Sequence, residues 1–450
     1  MVTPSRAVIV PLLVSSLLRA PALDAQRPRI TPVGNYHAHL MSETSGRMLV
    51  QRPLPSVSLP ADLDGLIHDF ARFTKAGDAR SLAGLFADDA LFPQQTGWIR
   101  GREAIRRVLS EQGPRDRRIR AHAFTLHDSA ATIAGSFADS GSRGLVDVAK
   151  VMLTLRRGAD GKWLIGSLLR ENIPSGVGAP FSADQLVTQL DSAGIQRALV
   201  LSVAYWFGSS LMPGADPDVT LAEEHARVRT ENDWVASQVA RHPDRLVAFC
   251  SVNPLKSYAI EEIERCGRQP GIGGLKLHLA NSSVDLRKRE NVEQVGRVFR
   301  AANSAALPIV VHMRPRLQPY GREDAEIFLR EILPNAPDIP IQIAHLVGWG
   351  GYDDSAYQAA GAFVDAIARN DPVTKNLYFD ITTIVFNDQP VETRERIATR
   401  IRQLGLSRVV YGSDQTDPRT DWASVLRLIP LTEREFEAIA GNVTPYLRPR

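Results

Sequence analysis

A chain of 450 residues, 44% hydrophobic and 23% charged, has room for roughly two to four domains, and its composition excludes a disordered, fibrous or collagen-like protein. Lys and Arg total 53 against 50 Asp and Glu, a formal charge of only +3, so neither a nucleic-acid nor a membrane-surface partner is expected. Two cysteines exclude a disulfide framework or a Cys-rich zinc module, and no apolar run reaches the roughly 18 residues that would span a bilayer.

The first residues, MVTPSRAVIVPLLVSSLLRAPALDAQ, read as a secretory signal over residues 1–25, cleaved after Ala22 or Ala25. Arg6 supplies the positive region and AVIVPLLVSSLL the apolar one, too short for a spanning helix. The mature chain is therefore expected to be exported, periplasmic or secreted, with no membrane association after cleavage. A first strand follows in VGNYHAHL, residues 33–40, within a segment 33–60.

The grammar then changes over residues 61–175. Helix-like ADLDGLIHDFARFTKAG and DARSLAGLFA precede a short apolar stretch, DALF, and a helix, GREAIRRVLSEQ. Four β-like runs come next: IRAHAFTLHD, AATIAGSFAD, GLVDVAKVMLTLRR and KWLIGSLLREN, with GADGK as a hairpin turn between the last two. Helices followed by successive antiparallel strands predict a separate α+β domain. IPSGVGAPFS is the linker out of it.

From residue 181 to 450, apolar runs alternate with amphipathic helical segments. The runs are RALVLSV, RLVAFCSV, GGLKLHL, PIVVHM, IQIAHL, LYFDIT and RVVYGSD. Strand–helix alternation predicts parallel pairing with right-handed crossovers. With VGNYHAHL as the first strand, eight strands predict a closed (β/α)8 TIM barrel carrying an inserted domain. Cys250 falls in a strand and Cys266 in the next helix, so two separate buried thiols are expected.

Active sites of such barrels lie at the carboxyl ends of the strands. His37, His39, His278, His312 and His345 all fall at such ends, and Asp414 ends the last strand. His37 and His39 are two apart on an extended strand and share one face. Neutral imidazoles with a carboxylate suit a borderline divalent ion such as zinc.

The set HAHL, VVHM, AHLVGWGG and YGSD resembles the amidohydrolase superfamily, in particular its group of metal-dependent hydrolases and non-oxidative decarboxylases. LDSAGIQRALVLS, NDWVASQVARHPDRLVAFCSVNP and GLKLHL support the resemblance, which covers residues 33–40 and 181–450. It implies one divalent metal ion, taken as Zn2+, held by His37, His39, His312 and Asp414. His345 would orient water or polarise the substrate. Lys276, in the KLH pattern, looks like the uncarboxylated lysine of mononuclear members. Asn35 stands where the family often has an acidic residue. The implied activity is a hydrolase of small-molecule amides, lactones or esters, with a decarboxylase on the same barrel, or a non-catalytic binding protein, as rivals. The ion would acidify water and polarise a substrate oxygen, while Asp414 moves the proton to the leaving group. His278 and Arg314 are the expected substrate contacts, with Arg316 beside them for a carboxylate. Tyr205, Trp206 and Trp349 are candidate pocket walls.

Within residues 61–175, DFARFTKAGDARSLAGLFADDALF, the REAIRRVL helix and a final strand containing GKW resemble the SnoaL-like, nuclear-transport-factor-2-like (NTF2-like) α+β fold. That fold hosts many roles. His122, His127, Asp69 and Asp89 offer polar groups but no paired acid and base. Three roles stay open: shading the barrel mouth, restricting substrate access, and mediating a homo-oligomer.

Overall fold

The computed structural model describes residues 30–49, 54–94, 97–141, 144–172, 179–316, 319–414, 418 and 421–447. The signal segment and most of the 173–182 linker lie outside these residues. Among the described residues the strands form two sheets, of eight and six strands.

The larger sheet runs β1 (Gly34–Ala38), β8 (Arg197–Leu201), β9 (Leu246–Ser251), β10 (Ile272–His278), β11 (Ile309–His312), β12 (Ile341–Ile343), β13 (Leu377–Asp380) and β14 (Val409–Val410). Its paired neighbours are all parallel. The ring closes between first and last strands: Tyr36 N–H donates to Tyr411 O at 2.8 Å and Asp414 N–H to His37 O at 2.6 Å. Asn35 locks the seam, its amide donating to Ser413 Oγ at 2.8 Å and its carbonyl accepting from Ser413 N–H at 3.0 Å. This is the (β/α)8 barrel the strand–helix alternation predicts. Asn35, where an acid is common, is here a strand-to-strand clasp.

The crossover helices have local reasons to form. Thr220 caps α6 (Leu221–Val239) and Ser182 caps α5 (Ala183–Ala193), each in a reciprocal box with Glu223 or Gln185. In α8 (Arg289–Ser304), Val292, Val295, Val298, Phe299 and Ala302 form the buried stripe. Every residue of β10 is buried, and its Gly274 has no alternative: a Cβ there would collide with the Phe249 ring. Tyr36, Leu199, Leu201, Phe249, Val310 and Val410 fill the barrel, with Tyr446 and Leu447 of the chain's end packed against them.

The smaller sheet has the order β3 (Gly97–Arg100), β2 (Phe86–Gln94), β7 (Trp163–Asn172), β6 (Gly144–Arg157), β5 (Ala130–Gly141), β4 (Arg117–Leu126). Its pairs are antiparallel except β2 with β7. Helix α2 (Ala61–Ala76) lays Leu63, Leu66, Ile67 and Phe70 into a core with Ile133, Phe137, Val151, Leu153 and Ile165. This is the α+β, NTF2-like architecture expected of the insertion. The GADGK turn forms, with Gly158 N–H bonded to Lys162 O at 2.7 Å. Two details differ. The second helix stops at Gly84, so that Phe86 starts β2, and β3 gave no alternating signal, because Trp98 and Arg100 lie on an exposed edge.

The cysteines correct the sequence reading. Cys250 and Cys266, expected as separate thiols, are paired in a disulfide with Cα atoms 6.5 Å apart. Strand β9 and helix α7 (Ala259–Arg268) pack so that both sulfurs face one gap. The bond closes a loop with a sequence separation of 16 residues. A non-reducing peptide map should find the two peptides linked, and Cys250→Ala with Cys266→Ala should cost about 3 kcal/mol in urea unfolding. Unlinked peptides, or an unchanged midpoint, would remove the crosslink from the account.

Candidate metal centre

The in-register pairing of β10 with β11 sets His278 beside His312. Their rings stack at 3.9 Å and 12°. From there the imidazoles form a chain around the barrel mouth: His312 to His345 at 4.9 Å, His345 to His37 at 4.8 Å, and His37 to His39 at 5.2 Å between centroids. All five histidines are buried, whereas the Asp414 side chain is 25% exposed, so it stands at the opening.

Among the described residues, two groups of ligand atoms converge within 4.8 Å: His37, His39 and Asp414, and His37, His345 and Asp380. The first is held in a defined orientation. His37 Nδ1 lies 3.1 Å from Asp380 Oδ2, and His39 Nδ1 lies 2.6 Å from Leu201 O. Both Nδ1 atoms are thereby occupied as donors, leaving Nε2 of each ring for the centre. Those Nε2 atoms are 3.9 and 3.4 Å from Asp414 Oδ1. His345 Nδ1 faces Thr382 O at 3.0 Å, which leaves its Nε2 free in the same way.

His312 belongs to neither compact group, although it touches both His278 and His345. Its two ring nitrogens are buried without a hydrogen-bond partner among the described residues. Such an orphan is costly unless a ligand completes it.

Electrostatics suit a cation. Burial, with Lys276 nearby, pushes His37 down to about 3, and burial also holds His278 and His312 well below the usual imidazole value. These rings are therefore neutral and available as donors of lone pairs. Burial drives Asp414 upward, but the adjacent His39 and His37 rings outweigh it and hold the carboxyl well below its usual range. Lys276 Nζ sits 3.2 Å from His37 Nε2, and burial lowers it to about 8. Convergent Nε2 atoms, an ionised carboxylate and an orphaned imidazole fit a divalent ion.

Asp380 is the residue missed by sequence reading. It is fully buried and accepts from the His37 ring, from Gln342 Nε2 at 2.7 Å, and from the backbone N–H groups of His345 and Thr382 at 2.8 and 3.2 Å. It ends LYFD as Asp414 ends VVYGSD, and that shared position was the available signal. His345, Leu346 and Val347 all have positive φ, 57°, 48° and 71°, a costly run for side chains with a Cβ and most of all for β-branched Val347. The Asp380 bond to His345 N–H is one of the contacts that hold it.

Of the expected substrate contacts, His278 does line the mouth, between Tyr205 at 5.1 Å and His312, with Trp349 edge-on at 6.0 Å. Arg314 does not present itself to a ligand. Its guanidinium makes a two-point bond to Asp353 at 3.0 and 2.6 Å and lies over Tyr320, bracing the start of α10 (Asp354–Ala368). Arg316 instead bonds Asn281 Oδ1 at 2.8 Å and lies 5.9 Å from the Trp349 ring centre. Trp206 is buried beside Tyr205.

The amidohydrolase family model matches residues 208–442. No curated protein matches the chain. Among solved structures, it is similar to 5-carboxyvanillate decarboxylase LigW from Sphingomonas paucimobilis, at 16% identity over 60% of this chain and 83% of that one, TM-score 0.40. It is similar to a 2,6-dihydroxybenzoate decarboxylase at 16% identity over 57% and 84%, TM-score 0.37. A protein from Xanthomonas campestris named for the association domain of calcium/calmodulin-dependent protein kinase II is similar at 23% identity over 28% of this chain and 99% of its own, TM-score 0.24.

Asp380→Asn keeps every proposed ligand but loses the acceptor that orients His37. It should weaken divalent-metal affinity about 10- to 100-fold in equilibrium dialysis. Wild-type affinity in that variant would sink the orienting role.

Proposed function

The chain belongs to the amidohydrolase family, and on that premise we propose that it is a divalent-metal-dependent hydrolase of small carbonyl compounds. The observation that carries the reading is the ionised Asp414 carboxylate set against the Nε2 atoms of His37 and His39, whose Nδ1 atoms are both already engaged. His37, His39, His312 and Asp414 would hold the ion, with zinc the match for this nitrogen-rich set. Once bound, it would supply Lewis acidity toward a carbonyl oxygen and toward water.

The chain's own groups account for the rest. Asp414, part-exposed at the mouth, accepts a proton from water and returns it to the leaving group. His345, with Nδ1 turned to Thr382 O, offers the Nε2 lone pair to a water O–H and so positions it. Tyr205, His278 and Trp349 form an aromatic wall for an amide, lactone or ester substrate. Arg316, over Trp349, favours a second reading: a carboxylate-bearing aromatic substrate that loses carbon dioxide at the same centre. The convergence of His37, His39 and Asp414 at the mouth favours catalysis over a purely binding role. Export to an oxidising compartment is part of the proposal, and the Cys250–Cys266 disulfide supports it.

A chelator should abolish turnover and zinc should restore it. His312→Ala should bind less metal by elemental analysis. On a panel of lactones, amides and aromatic acids, incorporation of heavy-oxygen water into product marks hydrolysis, and release of carbon dioxide marks the second reading. Full turnover by metal-free protein would defeat both.

A further inference from the structure

The end of the barrel opposite the histidines holds a cleft that none of the chemistry above uses. It measures about 430 Å³, within the range of roughly 300–1,000 Å³ common for small-molecule pockets. It opens where strands begin: Arg197 starts β8, Val247 and Ile272 lie at the beginnings of β9 and β10, and Pro308 and Pro340 immediately precede β11 and β12. Tyr446 of the chain's end lines it too. Apart from that ring the walls are mainly aliphatic. Among the described residues, Arg197 and Asp244 are the charged members of the lining.

Strand geometry aims Arg197 inward. It alternates with Leu199 and Leu201, which fill the barrel, so its side chain points toward the same axis. Its Nε and one Nη are buried without a hydrogen-bond partner among the described residues. Leaving charged donors in that state costs more than leaving neutral ones. The neighbouring groups are already committed. Arg245, beside it on the next strand, bonds Gln196 O and Ile195 O and pairs with Asp191. Tyr36 OH donates to Asn442 O and accepts from Thr444 N–H, and Tyr446 OH donates to Gln342 Oε1. Asp244 shares the cleft, but it is exposed and does not bond the two orphaned nitrogens. An inward cation with unanswered donors therefore stands against an aliphatic wall.

We propose that this cleft binds a small branched aliphatic monocarboxylate, its carboxylate on Arg197 and its hydrocarbon body against Val247, Ile272, Pro308 and Pro340. A bare inorganic anion would leave the aliphatic walls uncovered, and a neutral apolar ligand would leave the guanidinium unanswered. A second carboxylate on the ligand would meet Asp244 in the same cleft, so one negative charge is preferred over two. The site is separate from the metal centre and does not depend on the reaction assigned there.

The probe is isocaproate, titrated by calorimetry into the full chain with excess chelator present, so that no ion at the barrel mouth holds it. Hydrogen exchange locates it. The expected result is one site per chain, protection of peptides covering residues 239–247 and 271–273, and affinity at least about tenfold lower in Arg197→Gln. Ala240 is an exposed member of the lining, and Ala240→Trp, which fills the cleft from its exposed side, should weaken binding as strongly. Glutarate should bind about fivefold more weakly than isocaproate, and Asp244→Asn should narrow that gap. Any of four results overturns the proposal: no heat at about 10 mM isocaproate, wild-type affinity in Ala240→Trp, isocaproamide binding as well as the acid does, or protection confined to peptides at the barrel mouth.

Discussion

A buried carboxylate with four donors organises the mouth of this barrel. Asp380 sits at the end of β13 with no exposure to solvent, a position that costs several kcal/mol for an unpaired charge. It is fully satisfied: one oxygen takes the His37 ring and the Gln342 amide, the other takes two backbone N–H groups. Burial alone would raise its pKa, but the His37 and His345 contacts outweigh that and hold it ionised. Three features depend on this one group. The His37 tautomer is set by it. The left-handed turn at His345 is anchored by it. Gln342, which also bonds Tyr446 through its other atom, links it to the residues that plug the far end of the barrel.

That link explains why the chain's last residues matter to a site at the opposite rim. Tyr446 OH donates to Gln342 Oε1 at 2.8 Å, and Gln342 donates to Asp380. Tyr36, beneath His37 on β1, bonds both Asn442 O and the Thr444 N–H. The plug therefore contacts the strand that carries His37 and leads directly into His39, and the residue that orients His37. Packing at the bottom and orientation at the top belong to one network.

The architecture was readable because its signals are periodic. Alternating apolar runs and capped helices marked the barrel, and the long β5–β6–β7 meander with its GADGK turn marked the insertion. Strand ends are where such barrels place chemistry, and of the expected ligands His37, His39 and Asp414 converge there, while His312 stands outside both compact groups. What escaped reading depends on side-chain direction across the fold. Nothing local distinguishes Arg314, turned to Asp353, from Arg316, turned to Trp349, since both follow His312 in one short polar loop. Asp380 looked like a strand-end residue of no special kind until its donors, drawn from β1, β12 and the following turn, were in place. The Cys250–Cys266 bond joins a strand to the next helix, and their spacing alone does not reveal which way each sulfur faces.

The closing seam has a consequence for biogenesis. His37 and His39 lie near the start of the chain, while Asp414 and the clasp residue Ser413 come from near its end, and Asp414 N–H bonds directly to His37 O. The insertion lies in the chain between these two ends. A nascent chain still short of residue 414 has no completed ring and only part of the proposed ligand set. An ion held by the full proposed set would therefore be captured only after residue 414 has been made.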